Sequence, residues 1–244
     1  MVKMIEKNID IYKFFIFDNK TKLTSYLSNY ISNKINASLK INDRFRFCVC
    51  GGSTPKPIYE KLSHVKLSWQ NVDIFLGDER CVDPLSEESN TNMLKNSLLK
   101  NYAVKAFFYE VFKNNDFDDD LAKQSYLKTL KEKFFGNPPI FDLTLLGLGD
   151  DGHTASLFPY KDFNNDDLII TTFGKGLKRI SLTPKIISAS SEIVFLVTGD
   201  SKNLALKRLI DINESTERTP AKLIKSNSKI LIFCDSEASN KLPI

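Results

Sequence analysis

Along this chain the spacing of apolar positions keeps switching between short continuous runs and stretches with helical period. Apolar runs at 11–17, 45–50, 72–76, 107–111, 141–146, 193–198 and 229–234 read as strands, and segments 168–173 and 179–183 join them. Between these runs, apolar residues recur at spacings of three and four over 20–39, from the end of a 51–55 turn to about 64, and over 89–99, 118–135 and 202–211. These read as helices. The 118–135 stretch opens on acids and carries lysines later, which suits a helix dipole. Strands that alternate with helices predict an α/β fold, a mostly parallel sheet covered on both faces. No linker, repeat or low-complexity tract interrupts the pattern, so residues 1–244 are expected to form one domain.

Composition narrows the function classes. The chain is 42% hydrophobic and 26% charged, enough apolar content for one large core. Its net charge of +4 is mild, and no dense Lys/Arg block or aromatic-laced basic stripe argues for nucleic acid. The abundance of lysine and asparagine reads as codon bias and carries no function. Cys48, Cys50, Cys81 and Cys234 form no CxxC pair, and with two histidines no zinc spacing can be assembled. Unpaired cysteines point to a reducing, cytoplasmic setting. The first 17 residues lack the pattern of a secretory leader, and no apolar run approaches the length of a membrane span.

The richest chemistry follows the 141–146 strand, in GLGDDGHTASLFP at 147–159. Glycines let the chain turn sharply off a strand, and ligands of α/β folds bind at that sheet edge. His153 stands there, beside Asp150 and Asp151. The other histidine, His64, ends a helix before a tryptophan and reads as structural. A second strand runs into Gly51, Gly52, Ser53 and Thr54, with Thr54 as candidate helix cap and Pro55 at the first helical position. A helix start of this kind suits an anion such as phosphate. Asp78, Glu79 and Arg80 end a third strand, and Ser89-Asn90 reads as a helix cap. Arg179 opens a strand, and Lys202 starts a helix. Singly, each is an ordinary surface charge; together, strand ends presenting hydroxyls, Arg, His and Lys suit an anionic, hydroxyl-rich ligand such as a sugar phosphate. Gly147, Gly149 and Gly152 fit GxGxxG, but Pro159 cuts the following helix short and the acids at Asp166 and Asp167 fall in a polar loop. Dinucleotide binding is therefore not expected.

With these pieces assembled, the chain resembles the glucosamine-6-phosphate isomerase/6-phosphogluconolactonase family, on its 6-phosphogluconolactonase branch. The resemblance rests on GGSTP at 51–55, DER at 78–80, SN at 89–90, FDLTLLGLGDDGHTASLFP at 141–159, RISLT at 179–183, FLVTGDSK at 195–202 and LIFCDSEA at 231–238. It implies a Rossmann-like three-layer sandwich, shared with glucosamine-6-phosphate deaminases and ribose-5-phosphate isomerases. It also implies hydrolysis of 6-phospho-D-glucono-1,5-lactone in the oxidative pentose phosphate pathway, with no metal or nucleotide cofactor. His153 would be the base, oriented by Asp151. Phosphate would lie on Gly51, Gly52, Ser53 and Thr54 with Arg179 and Lys202, Asp78 would take a sugar hydroxyl, and Arg80 an oxyanion or hydroxyl. Association or fusion with glucose-6-phosphate dehydrogenase is also implied. Two departures stand out. Asp150 replaces a frequent proline or asparagine, and 173–178 replaces a Pro-rich approach to the Arg179 strand. A deaminase and a non-catalytic sugar-phosphate-binding domain are the alternatives. Thr154-Ala155-Ser156 follows DGH where a deaminase continues toward a glutamate, which favours the lactonase.

Overall fold

The computed structural model describes residues 4–112, 118–136, 138–164 and 166–242; residues 1–3 of the amino-terminal stretch and Asn165 of the polar loop lie outside them. Among the described residues eleven strands form two sheets. The larger contains β1 (Met4–Ile9), β2 (Tyr12–Phe17), β3 (Phe45–Val49), β4 (Val72–Leu76), β6 (Phe107–Tyr109), β7 (Leu143–Gly147), β10 (Ile193–Val197) and β11 (Ile230–Asp235), and the smaller contains β5 (Asp78–Arg80), β8 (Ile169–Gly174) and β9 (Leu177–Leu182). The helices are α1 (Lys20–Ser38), α2 (Lys56–Ser63), α3 (Asn90–Ser97), α4 (Asp119–Lys133), α5 (Pro184–Ser188), α6 (Asn203–Ile210) and α7 (Ser236–Ser239).

The large sheet has the order β1-β2-β11-β10-β7-β3-β4-β6. All its pairings are parallel except β1 with β2. Strands buried on both faces need continuous apolar runs. Ile193–Val197 is one, and every residue in it is buried. Aromatic side chains fill the core beside it: Phe15 stacks on Phe233 at 4.7 Å and Phe75 on Tyr109 at 4.7 Å. Phe75 and Phe233 are fully buried, and burying such a ring contributes about 1.5–3 kcal/mol.

The topology fixes where a site can form. From β3 the chain moves outward through β4 to β6; it then returns to β7 and moves outward on the other side through β10 and β11. The reversal lies between β3 and β7, and such a switch point opens a crevice at the carboxyl ends of the strands. Here β3 and β7 share only the register pairs Phe47↔Leu143 and Cys48↔Thr144, so they separate toward those ends.

Some expectations shift. The amino-terminal hairpin partner β1 was not anticipated, because MIEKNI is exposed along most of its length and shows no buried face. Arg179 lies inside β9, two residues after its start. Lys202 ends a short 3-10 turn, and the helix proper begins at Asn203. The expected Thr54 cap is absent: Pro55 occupies the N-cap position of α2, and no side chain caps that end.

Candidate functional site

The chain leaving β7 folds into a tight loop around Gly149. Gly149 N–H donates to the His153 carbonyl at 2.8 Å, and Gly152 N–H donates to the Gly149 carbonyl at 3.0 Å. Gly152 has φ 95, a left-handed conformation natural to glycine. The loop is pinned from below by Thr154 Oγ1, which donates to the Gly147 carbonyl at 2.8 Å.

This folding turns Asp151 back onto His153. Asp151 Oδ1 lies 2.5 Å from the ring Nδ1 and accepts the His153 backbone N–H at 3.1 Å. A carboxylate only accepts, so Nδ1 carries the proton and Nε2 is left with the basic lone pair. Burial works against the charge on Asp151, but the His153 ring and N–H outweigh it and hold the carboxyl well below the usual carboxylate range. The ring of Phe158 lies 4.8 Å from the imidazole and limits its motion.

His153 borders a cleft of about 270 Å³ at the β3–β7 switch point. Gly51, Gly52, Ser53, Thr54, Asp78, Arg80, Arg179 and Lys202 all line it. Of the expected residues only Asp151 does not; it stands behind His153. The carboxyl ends of β3, β7 and β10 supply one side. The small sheet supplies the other, through Asp78 and Arg80 on β5 and Arg179 on β9.

The charges are unequally committed. Arg179 is buried, stacks 5.4 Å over the Phe158 ring, donates from Nε to the Gly174 carbonyl at 3.2 Å, and lies 3.7 Å from Asp78 Oδ2. Asp78 also accepts from Ser156 Oγ at 2.5 Å. Arg80 turns one guanidinium nitrogen to the Glu88 carbonyl, and its buried Nε has no partner. Burial pulls the Lys202 ammonium below the usual lysine range; Asp150 and Asp151 resist this and Lys175 adds to it.

Three residues do more than the sequence reading gave them. Glu79 is buried, and its carboxylate accepts the backbone N–H groups of Arg80, Asn90 and Thr91 at 2.7, 2.8 and 2.7 Å. It thereby fastens the start of α3 to β5. Burial raises its carboxyl above the usual range, against those hydrogen bonds. Asn90 does not cap α3; Ser89 does. The Asn90 amide instead donates to the Asp78 carbonyl at 2.8 Å, and its Oδ1 lies where a Cβ on Gly51 would come within 1.8 Å. Only glycine permits that approach of loop to amide. Lys175, in the hairpin between β8 and β9, lines the cleft as well.

The sequence profile described as glucosamine-6-phosphate isomerases/6-phosphogluconolactonase matches residues 18–233. The chain belongs to this family. A 6-phosphogluconolactonase of Nostoc sp. PCC 7120 is 32% identical over 234 residues, covering 94% of this chain and 98% of the relative. A probable 6-phosphogluconolactonase of Schizosaccharomyces pombe is 30% identical, with 93% and 94% covered. Among solved structures, a 6-phosphogluconolactonase from Shewanella baltica superposes with a TM-score of 0.79 at 26% identity, covering 96% of this chain and all of the other. That family membership agrees with the α/β fold and its mostly parallel sheet.

Proposed function

We propose that this chain hydrolyses 6-phospho-D-glucono-1,5-lactone to 6-phospho-D-gluconate with His153 as general base. The observation that carries the mechanism is the Asp151–His153 pair at the rim of a cationic cleft. Hydrolysis of a lactone needs a positioned water and a base to take its proton. His153 Nε2 takes that proton as the water oxygen bonds to C1. The carbonyl becomes a tetrahedral oxyanion, and Arg80, whose side chain lines the cleft, is a donor suited to it or to a sugar hydroxyl. Collapse breaks the bond from C1 to the ring oxygen, and the imidazolium returns the proton to that oxygen. Asp151 keeps the tautomer and stabilises the transient imidazolium. Such general-base help is worth about 10²–10⁴-fold.

The phosphate is assigned to the 51–54 loop with Lys202 and Arg179, and Asp78 to a hydroxyl. Gripping the phosphate places C1 at the base, which is a proximity contribution. A cytoplasmic location is part of the proposal and is supported by four free thiols, three of them buried. The deaminase alternative would need an acid along the segment after His153, where Thr154, Ala155 and Ser156 stand. The deciding assay follows lactone consumption beside ammonia release from glucosamine 6-phosphate. Lactone turnover without ammonia is expected. Ammonia release without lactone turnover overturns the proposal.

A further inference from the structure

The hairpin joining β8 to β9 turns on two residues, Lys175 and Gly176, with φ of 50 and 81. Gly174 and Leu177 are the last pair before the turn. Two successive positive φ values match the tight turn whose twist suits a hairpin. The tip is held down at its root. A Cβ on Gly174 would lie 2.2 Å from the Phe158 ring, and the Gly174 carbonyl accepts from Arg179. The Lys175 side chain is thus stationed at the cleft, which it lines together with Lys202. Its Nζ lies 3.2 Å from Asp150 Oδ1, and 48% and 60% of the two side chains are exposed.

We propose that Lys175 is a further phosphate-binding cation in this chain, held by Asp150 and transferred to the phosphate when a sugar phosphate binds. The inference rests on the phosphate assignment made above and adds to it a residue and a partner. Both members of the pair fall where the sequence departs from the family pattern, at position 150 and within 173–178. An exposed ion pair of this kind shifts an equilibrium only about two- to fivefold, so it is easily given up. A phosphate dianion beside Lys202 offers Lys175 a more highly charged acceptor. Asp150 also interacts electrostatically with Lys202. Withdrawing Lys175 from Asp150 therefore couples the two lysines through one carboxylate.

The test is a calorimetric comparison of 6-phosphogluconate and gluconate at fixed salt, on protein carrying Lys175→Asn, Asp150→Asn, or both. Asparagine tolerates the left-handed turn position, so the hairpin survives the loss of the ammonium. Lys175→Asn is expected to weaken 6-phosphogluconate binding about five- to tenfold while gluconate changes less than about twofold. Asp150→Asn is expected to tighten 6-phosphogluconate about two- to fivefold, and most of that gain should vanish in the double variant. An unchanged affinity in Lys175→Asn overturns the inference. So does equal weakening for both ligands, which would mark a purely structural hairpin, or an equal Asp150→Asn gain with and without Lys175. The measurement needs no turnover, so a wild type that binds 6-phosphogluconate but hydrolyses no lactone overturns the proposed reaction and leaves Lys175 to be decided separately. A wild type that fails to bind 6-phosphogluconate overturns both.

Discussion

Gly149→Ala should disable the enzyme by displacing His153 without altering the imidazole itself. A Cβ at this position would lie 2.0 Å from His153 Nδ1, 2.2 Å from Cε1 and 2.6 Å from Asp151 Oδ1. Ordinary van der Waals contact begins near 3.4 Å, so the ring has to retreat by about 1.4 Å. It cannot do so and stay on Asp151, since the intruding methyl occupies the space between the pair and the loop. Phe158, 4.8 Å away on another side, limits the escape. A displacement of roughly 1 Å at a reacting group costs on the order of 10²-fold in rate. Loss of the Asp151 contact adds to this by releasing the tautomer. The assay is kcat/KM for lactone hydrolysis, beside thermal unfolding to show that the variant is folded. Gly77→Ala serves as the control, because its Cβ would meet nothing closer than 3.6 Å. A folded Gly149→Ala protein within about threefold of wild-type kcat/KM would refute the placement of His153 as base, because the displacement argument allows no such survival.

Other outcomes follow from the same geometry. His153→Ala or His153→Asn should cost at least about 10²-fold in kcat/KM with the fold kept, and a folded variant above about a tenth of wild type defeats the assignment. Lys202→Ala should raise KM more than it lowers kcat on the phosphorylated lactone, by about tenfold, and scarcely affect unphosphorylated gluconolactone; equal losses on both substrates contradict the phosphate map. Arg179→Ala should show the same split and also a lower melting temperature, because it strips Asp78 of its buried counter-charge. Asp151 is held well below the usual carboxylate range, so its charge is present throughout the neutral range, and Asp151→Asn should lower kcat/KM by at least about tenfold with the fold kept; a folded variant with undiminished kcat/KM counts against the pair.

How much of this was legible in the sequence depends on the range of the interaction. The parallel strands announce themselves, since a strand such as β10 is apolar at every position and ends in a polar turn. The 51–54 loop and the DGH loop were found because a turn after a strand is a local event. The small sheet was harder. Asp78 to Arg80 read as a strand end, yet they form a strand of their own, paired with Ser181, Ile180 and Arg179 across a hundred residues of chain. Nothing nearby marks Arg179 as buried, because its partners Asp78, Gly174 and Phe158 come from three other segments. Asn90 looked like a cap because Asn is a good one; the neighbouring Ser89 took that role and freed the amide to reach β5. Glu79 carried a faint signal, an acid between two charged residues ahead of a helix it could anchor. Lys175 was marked only by its place in the unusual 173–178 stretch.

The division of charge explains why two sheets are needed. Asp151 is committed to His153, Asp78 to Arg179 and Ser156, and Asp150 to Lys175. Asp78 and Asp150 are each paired with a cation from another strand or loop, and Asp151 is hydrogen-bonded to the histidine two residues on in its own loop, which lets these carboxylates stand beside a substrate that is itself anionic. Among the described residues Lys202 forms no ion pair, and burial has already removed part of its water. An ammonium that has lost solvent and makes no direct ion pair gains from a phosphate what its neighbours do not give it. Gly77 holds this arrangement in register. Its N–H donates to the Val49 carbonyl of β3 at 3.0 Å, and its carbonyl accepts the Leu182 N–H of β9 at 2.9 Å. Through that one residue β4 passes into β5, and the large sheet is joined to the small one. His153 follows a strand of the parallel sheet and the buried Arg179 guanidinium stands on the antiparallel one, so the spacing between these two side chains is set by a backbone junction and not by a flexible linker.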